Sequence, residues 1–102
     1  MRHFTIRYSE KAADDFNDAY EWGLQNWGPE MANESFNKTQ AAIFRRLSIM
    51  PESCPNAPES AAYDVEVRHL VLGRYRFLYT VIQDEVLILR CRGPFTGRNE
   101  SS

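Results

Sequence analysis

No stretch of this 102-residue sequence approaches the ~20 consecutive apolar residues that a membrane-spanning helix needs. The opening MRHFTIRYSE alternates apolar and polar residues where a secretory leader would carry an apolar block, so a cytoplasmic protein is expected. Cysteine is scarce. Cys54 and Cys91 form no Cys-x-x-Cys pair and no Cys/His cluster, which argues against zinc and leaves two free thiols as the expectation. Gly-rich phosphate loops, His-Glu-x-x-His and Gly-x-Ser-x-Gly are all missing. No metal and no cofactor is expected. Lysine is nearly missing too: Lys11 and Lys38 stand against ten arginines. Arginine holds carboxylates and phosphates in fixed, two-pronged geometry better than lysine does, so the placement of the arginines becomes the question.

The formal net charge of −2 discourages a simple nucleic-acid binder. It conceals an asymmetry. Residues 1–66 hold six Lys/Arg and eleven Asp/Glu, whereas residues 67–102 hold six Arg and three acids. Either the helical half is merely solvated by acids, or the second half keeps a basic surface for an acidic partner.

Residues 2–8 put Phe4, Ile6 and Tyr8 on one face, the period of a half-buried strand, and Ser9 then offers a helix N-cap. From residue 10 the period changes. Ala12, Ala13, Phe16, Ala19, Tyr20, Gly23, Leu24 and Trp27 make the stripe of an amphipathic helix over 10–26, with Trp22 one position off it as rim packing or a contact aromatic. Gly28-Pro29 breaks the helix and opens a second, whose stripe is Ala32, Phe36, Thr39, Ile43, Leu47 and Met50. Two helices across so tight a break form an antiparallel hairpin. Residues 51–62, with three prolines and no periodicity, read as a loop, either a stiff linker or a mobile segment near a binding surface. Strands follow over 63–71, 74–82 and 86–92, joined closely enough for an antiparallel meander. The expected fold is α+β: strand, antiparallel helical hairpin, then a three-stranded meander, with the helices packed on one face of the sheet. The first strand must pair somewhere in that sheet. One domain spans 1–102, with 93–102 a frayed tail.

His69 falls on the apolar parity of its strand, where a satisfied, partly buried histidine outweighs a catalytic one. Strand parity puts Arg68, Arg74 and Arg76 on one side, and Arg90, Arg92 and Arg98 extend the set. Such a cluster binds nucleic-acid phosphate or a partner's carboxylates. Alternatively, Asp64, Glu66, Asp84 and Glu85 neutralise it in a surface network.

The order and spacing of these pieces resemble the RelE/ParE superfamily of type II toxin–antitoxin toxins over nearly the whole chain. The marks are Tyr8-Ser9, Ala12 and Asp15, then Asn26-Trp27-Gly28-Pro29-Glu30 with Ala32, and Leu47 before Pro51. Val67-Arg68-His69-Leu70 follows, then Gly73-Arg74-Tyr75-Arg76-Phe77-Leu78-Tyr79 and Val86-Leu87-Ile88-Leu89-Arg90. The resemblance implies one of two activities. RelE-like relatives cut messenger RNA on the ribosome. ParE-like relatives bind DNA gyrase and trap it on cleaved DNA. The nuclease arginine corresponds to Arg76. The nuclease's basic residues on the preceding strand correspond to Asp64 and Glu66, which would repel a phosphate. The tail after Arg92 has neither Tyr nor His to serve as acid or base. A gyrase inhibitor that acts by binding is therefore favoured over a ribosome-dependent endonuclease, in which Arg76 and Glu66 would be the catalytic candidates. The resemblance also implies a cognate antitoxin as partner, and promoter DNA bound only through that antitoxin. Arg68, Arg74, Arg76, Arg90 and Arg92 are the candidates to meet acidic groups, and Trp22 and Trp27 the candidate apolar anchors.

Overall fold

The three-dimensional structure is a computed structural model that describes residues 3–73 and 75–93. Strand β1 (Thr5–Tyr8) leads into helix α1 (Glu10–Trp27) and helix α2 (Pro29–Leu47). Two short 3-10 turns, Pro51–Ser53 and Pro58–Ala62, precede strands β2 (Arg68–Leu72), β3 (Tyr75–Ile82) and β4 (Glu85–Arg92). Arg74 and the tail from residue 94, including Arg98, lie outside the described residues.

Local chemistry sets the helix ends. Ser9 Oγ accepts the Ala12 N–H at 3.0 Å and so caps α1. Gly28 closes α1 and opens α2 at φ 88°, a left-handed backbone that glycine adopts without steric cost. Pro29 then fits the first turn of α2, where its missing N–H is no loss. Gly23 lets the two helices close. A Cβ there would meet Trp27 Cε3 at 3.3 Å and Ala32 Cβ at 3.4 Å.

The sheet order is β1-β4-β3-β2. β2, β3 and β4 form the expected antiparallel meander, while β1 pairs in parallel with β4, Ile6 opposite Val86 and Tyr8 opposite Ile88. The sheet is thus mixed, and the position of the first strand is settled. Both helices lie on one face, over a core of Phe4, Ala12, Phe16, Ile43, Leu47, Leu70, Phe77, Tyr79, Val86 and Ile88. Phe16 joins sheet and hairpin: it stacks on Phe77 at 5.5 Å and meets Tyr8 and Phe36 edge-on.

Three expectations need correction. Residues 63–67 are not strand. The Val67 N–H donates to Ser60 Oγ and its carbonyl accepts the Ala57 N–H, so this stretch bonds to the loop and β2 begins only at Arg68. Met50 does not belong to the inner stripe. α2 stops at Leu47, and Met50 is 62% exposed beyond it. The loop is more than a linker, because it covers the second face of the sheet. Ala57 and Val67 pack on Leu78 there, flanked by Tyr63 and Leu89. The Tyr79 hydroxyl donates to the Pro51 carbonyl and Thr80 Oγ1 to the Glu66 carbonyl, tying both ends of the loop to β3.

Candidate functional site

The register of the meander decides which arginines share a face. Arg76 stands opposite Val71 on β2 and Arg92 on β4. Side chains directly opposite on a ladder point the same way, so Arg76 and Arg92 rise together from the loop-covered face. Arg68 does not join them. It stands opposite Tyr79, three residues from Val71, and therefore on the other face. This overturns the parity expectation for Arg68 and Arg76. Leu72 pairs with Tyr75 across a two-residue connection, so each odd position on one strand faces an even position on the next.

Each described arginine has its own environment. Arg68 Nη1 donates to the Glu52 and Cys54 carbonyls at 3.1 and 2.6 Å, and its Nη2 reaches Glu66 at 3.3 Å. It is a brace for the loop. Arg90 bonds Asp15 of α1 at 2.9 Å through Nε and 3.3 Å through Nη2. The same carboxylate accepts the Cys91 N–H at 2.9 Å. Asp15 thus partners β4 beyond Ile88, the residue opposite the end of β1 at Tyr8. Burial, together with the Asp15 charge, pushes the Cys91 thiol up to about 12 despite Arg90.

Arg76 is held by Glu59 from the second 3-10 turn, Nη2 to Oε1 at 2.5 Å. Burial alone would raise the Glu59 carboxyl. The hydrogen bond and charge of Arg76, a backbone hydrogen bond and the charge of Arg92 together bring it below the ordinary carboxylate value. Asp64 is exposed, and Glu66 is held by Arg68 and by Asn56 Nδ2 at 3.3 Å. Glu85 pairs with Arg7 instead of with the arginine-rich group. His69 stands on the same face as Arg76, opposite Leu78, and is half-buried. Its Nδ1 has no hydrogen-bond partner among the described residues, so the expectation of a satisfied imidazole fails for that atom.

Neither Asp15 nor Glu59 was among the candidate site residues, although both hold arginines that were. Asp15 carried a signal: an acid on the apolar stripe between Ala12 and Phe16. Glu59 carried none, because a loop has no period.

A second feature lies at the far end of the helical hairpin. Trp22 and Trp27 meet edge-on at 5.2 Å. With Met31, Ala42, Leu72 and Tyr75 they line an open, mainly apolar groove between α1, α2 and the β2–β3 turn. Trp27, expected on the inner stripe, is instead 40% exposed at the lip of this groove. Trp22 is half-buried, and its Nε1–H has no acceptor among the described residues. Those residues include no group of three or more His, Cys, Asp or Glu placed to hold a metal ion, and no helix long and apolar enough to cross a membrane.

Residues 6–92 match the family described as the ParE toxin of the type II toxin–antitoxin system parDE. Among solved structures, a chain of the chromosomal ParDE toxin–antitoxin system from P. aeruginosa superposes with a TM-score of 0.71. It is 23% identical, and the match covers 89% of this chain and 96% of that one. A chain of the RelBE2 toxin–antitoxin complex from Mycobacterium tuberculosis gives 0.65 at 20% identity, over 91% of this chain and 93% of that one. At these identities the likeness is one of fold. No curated protein sequence matches closely enough to refine it.

Proposed function

The chain belongs to the ParE toxin family of type II toxin–antitoxin systems, and from that premise we propose that it inhibits DNA gyrase by binding and does not cut RNA. The observation that carries this reading is the state of Arg76. An RNA-cutting site needs a free cation to stabilise the charge that grows on the phosphorus oxygens. Arg76 already spends a charge-assisted bond on Glu59. Glu66, at the position where a nuclease places a cation, is an acid, and it is bonded to Arg68 and Asn56. Asp64 adds a second negative charge nearby in the chain.

A cognate antitoxin is the second partner in this reading. The Trp22–Trp27 groove suits an apolar anchor of that antitoxin, since buried aromatics dominate such interfaces. Of the arginine candidates, Arg76 and Arg92, which share one face, are the ones that suit its acids. Arg68 is removed from the contact set because it braces the loop, and Arg90 because it is committed to Asp15.

The test uses purified toxin in a gyrase supercoiling assay beside a ribosome-bound mRNA cleavage assay. Inhibition of supercoiling, relieved by the antitoxin, is expected, with the mRNA left intact. Unimpaired supercoiling at a stoichiometric excess of toxin discards the reading. Cleavage of mRNA that disappears in Arg76→Ala establishes the nuclease in its place.

A further inference from the structure

Two arginines directly opposite each other on an antiparallel ladder repel, and a nearby anion relieves the repulsion. Arg76 and Arg92 are such a pair, and the anion is the Glu59 carboxylate. Both guanidinium charges act on it. Yet Glu59 does not use everything on offer. The Arg76 Nε–H is buried and has no acceptor among the described residues, so a guanidinium able to make a two-pronged contact makes one bond to this carboxylate.

The segment that presents Glu59 is lightly held. No residue of Pro58–Ala62 is buried. Its ties to the rest of the protein are few: Ala57 and Ser60 bond to Val67 at 2.8 and 2.9 Å, and Glu59 itself bonds to Arg76. A turn with so little buried surface can lift away without global unfolding. The face beneath it is firmly built, with Leu78 and Val67 fully buried.

We propose that Arg76 and Arg92 form an oxyanion site that would take a phosphate group, and that Glu59 is an intramolecular plug that keeps it closed. The ionised carboxylate supplies from inside the chain what a phosphate would supply from outside: negative oxygens facing paired guanidinium groups. The inference goes beyond the gyrase reading, with which it shares the Arg76–Glu59 bond, because it concerns what the face can bind whichever target the toxin has.

The test removes the plug and leaves the arginines. Purified wild type, Glu59→Gln and Glu59→Ala are heated with and without inorganic phosphate at matched ionic strength, with Glu59→Gln/Arg76→Gln as control. Wild type should show no phosphate-specific change. Both single variants should gain about 4 °C or more in Tm once phosphate reaches ~10 times its Kd, and the double variant should lose the gain. A parallel titration with a short single-stranded RNA distinguishes free phosphate from a phosphodiester. Uptake of either ligand by the single variants alone supports the plug. A wild type that responds as strongly as the variants overturns it, because the site would then be open already. Folded single variants that take up neither ligand overturn it as well, because no oxyanion site would lie beneath Glu59. Circular dichroism of each variant establishes that it is folded. None of these outcomes bears on supercoiling, so failure here and failure of the gyrase reading are separate results.

Discussion

The two faces of one sheet have been covered in different ways. On the helix side, two long amphipathic elements bury a continuous aromatic core around Phe16, Phe77 and Tyr79. On the loop side, a Pro-rich segment covers Leu78 with little more than Ala57 and Val67. Two arginine ion pairs tie neighbouring elements to the sheet, and they differ as their surroundings do. Asp15–Arg90 joins α1 to β4 and also satisfies the Cys91 N–H, with the Asp15 side chain only 10% exposed. Glu59–Arg76 joins a 3-10 turn to β3, with both side chains about a third exposed. Helices buy rigidity through many apolar contacts; the loop holds its face with a few polar ones. The deeper pair therefore belongs to the architecture, and the shallower pair is where exchange with an outside group is physically accessible.

Adjacent residues on β3 give the sharpest contrast. Phe77→Ala empties the centre of the helix-side core and should cost about 3–5 kcal/mol in urea denaturation, whereas Leu78→Ala, one residue on and facing the loop, should cost about 2–3 kcal/mol. Equal losses would mean that the loop cluster is as strongly integrated as the main core. Next in size is Asp15→Asn. It leaves Arg90 without its charge partner and weakens the bond to the Cys91 N–H, with an expected loss of about 2–4 kcal/mol measured in the same way. Glu59→Gln should cost about 1 kcal/mol or less at neutral pH, and a loss as large as that of Asp15→Asn would erase the distinction between the pairs.

The smallest effect is one of pH. The folded Glu59 carboxyl is held below its ordinary value of 4.5, so its contribution to stability is fully present above that value. It is lost as pH falls through the lower, folded value. The Tm difference between wild type and Glu59→Gln should accordingly be constant from pH 7 to about 5.5 and shrink below the ordinary carboxylate range. A difference that persists unchanged to pH 3 would show that charge is not what Glu59 contributes.

Much of this molecule was legible in its residues, for reasons that are local. The stripe through Phe16, the Ser9 cap and the Gly28-Pro29 joint each follow from chemistry within one or two turns of chain, and all three are found. Residues 63–67 misled because Tyr63, Val65 and Val67 alternate as a strand does, although Val67 bonds to Ala57 and Ser60 of the loop. The arginine face was misread at the connection between β2 and β3; the equally short β3–β4 connection reverses parity too, and the register shift between Leu78 and Tyr79 is what brings Arg76 opposite Arg92. Parity carries across a hairpin only when the turn length is taken into account, and a two-residue connection reverses odd and even. Pairing of β1 with β4 leaves no trace in either segment, because neither Ile6 nor Val86 carries information about a partner 80 positions away. Glu59 was invisible for a related reason: its importance comes from the register of β3 against β4, which is not written near residue 59.

That pairing of the first strand with the last has a consequence for how the chain comes into being. β1 and α1 find their partners in a much later segment, since Thr5 to Tyr8 align with Glu85 to Ile88 and Asp15 closes on Arg90 and Cys91. A growing chain can form its helical hairpin from local contacts, but it cannot seat the hairpin on a finished sheet until β4 has emerged. Contacts of such sequence separation are formed slowly. The arginine face, built from β3 and β4, is assembled in the same final step. The charged face is therefore completed only together with the sheet that seats the hairpin.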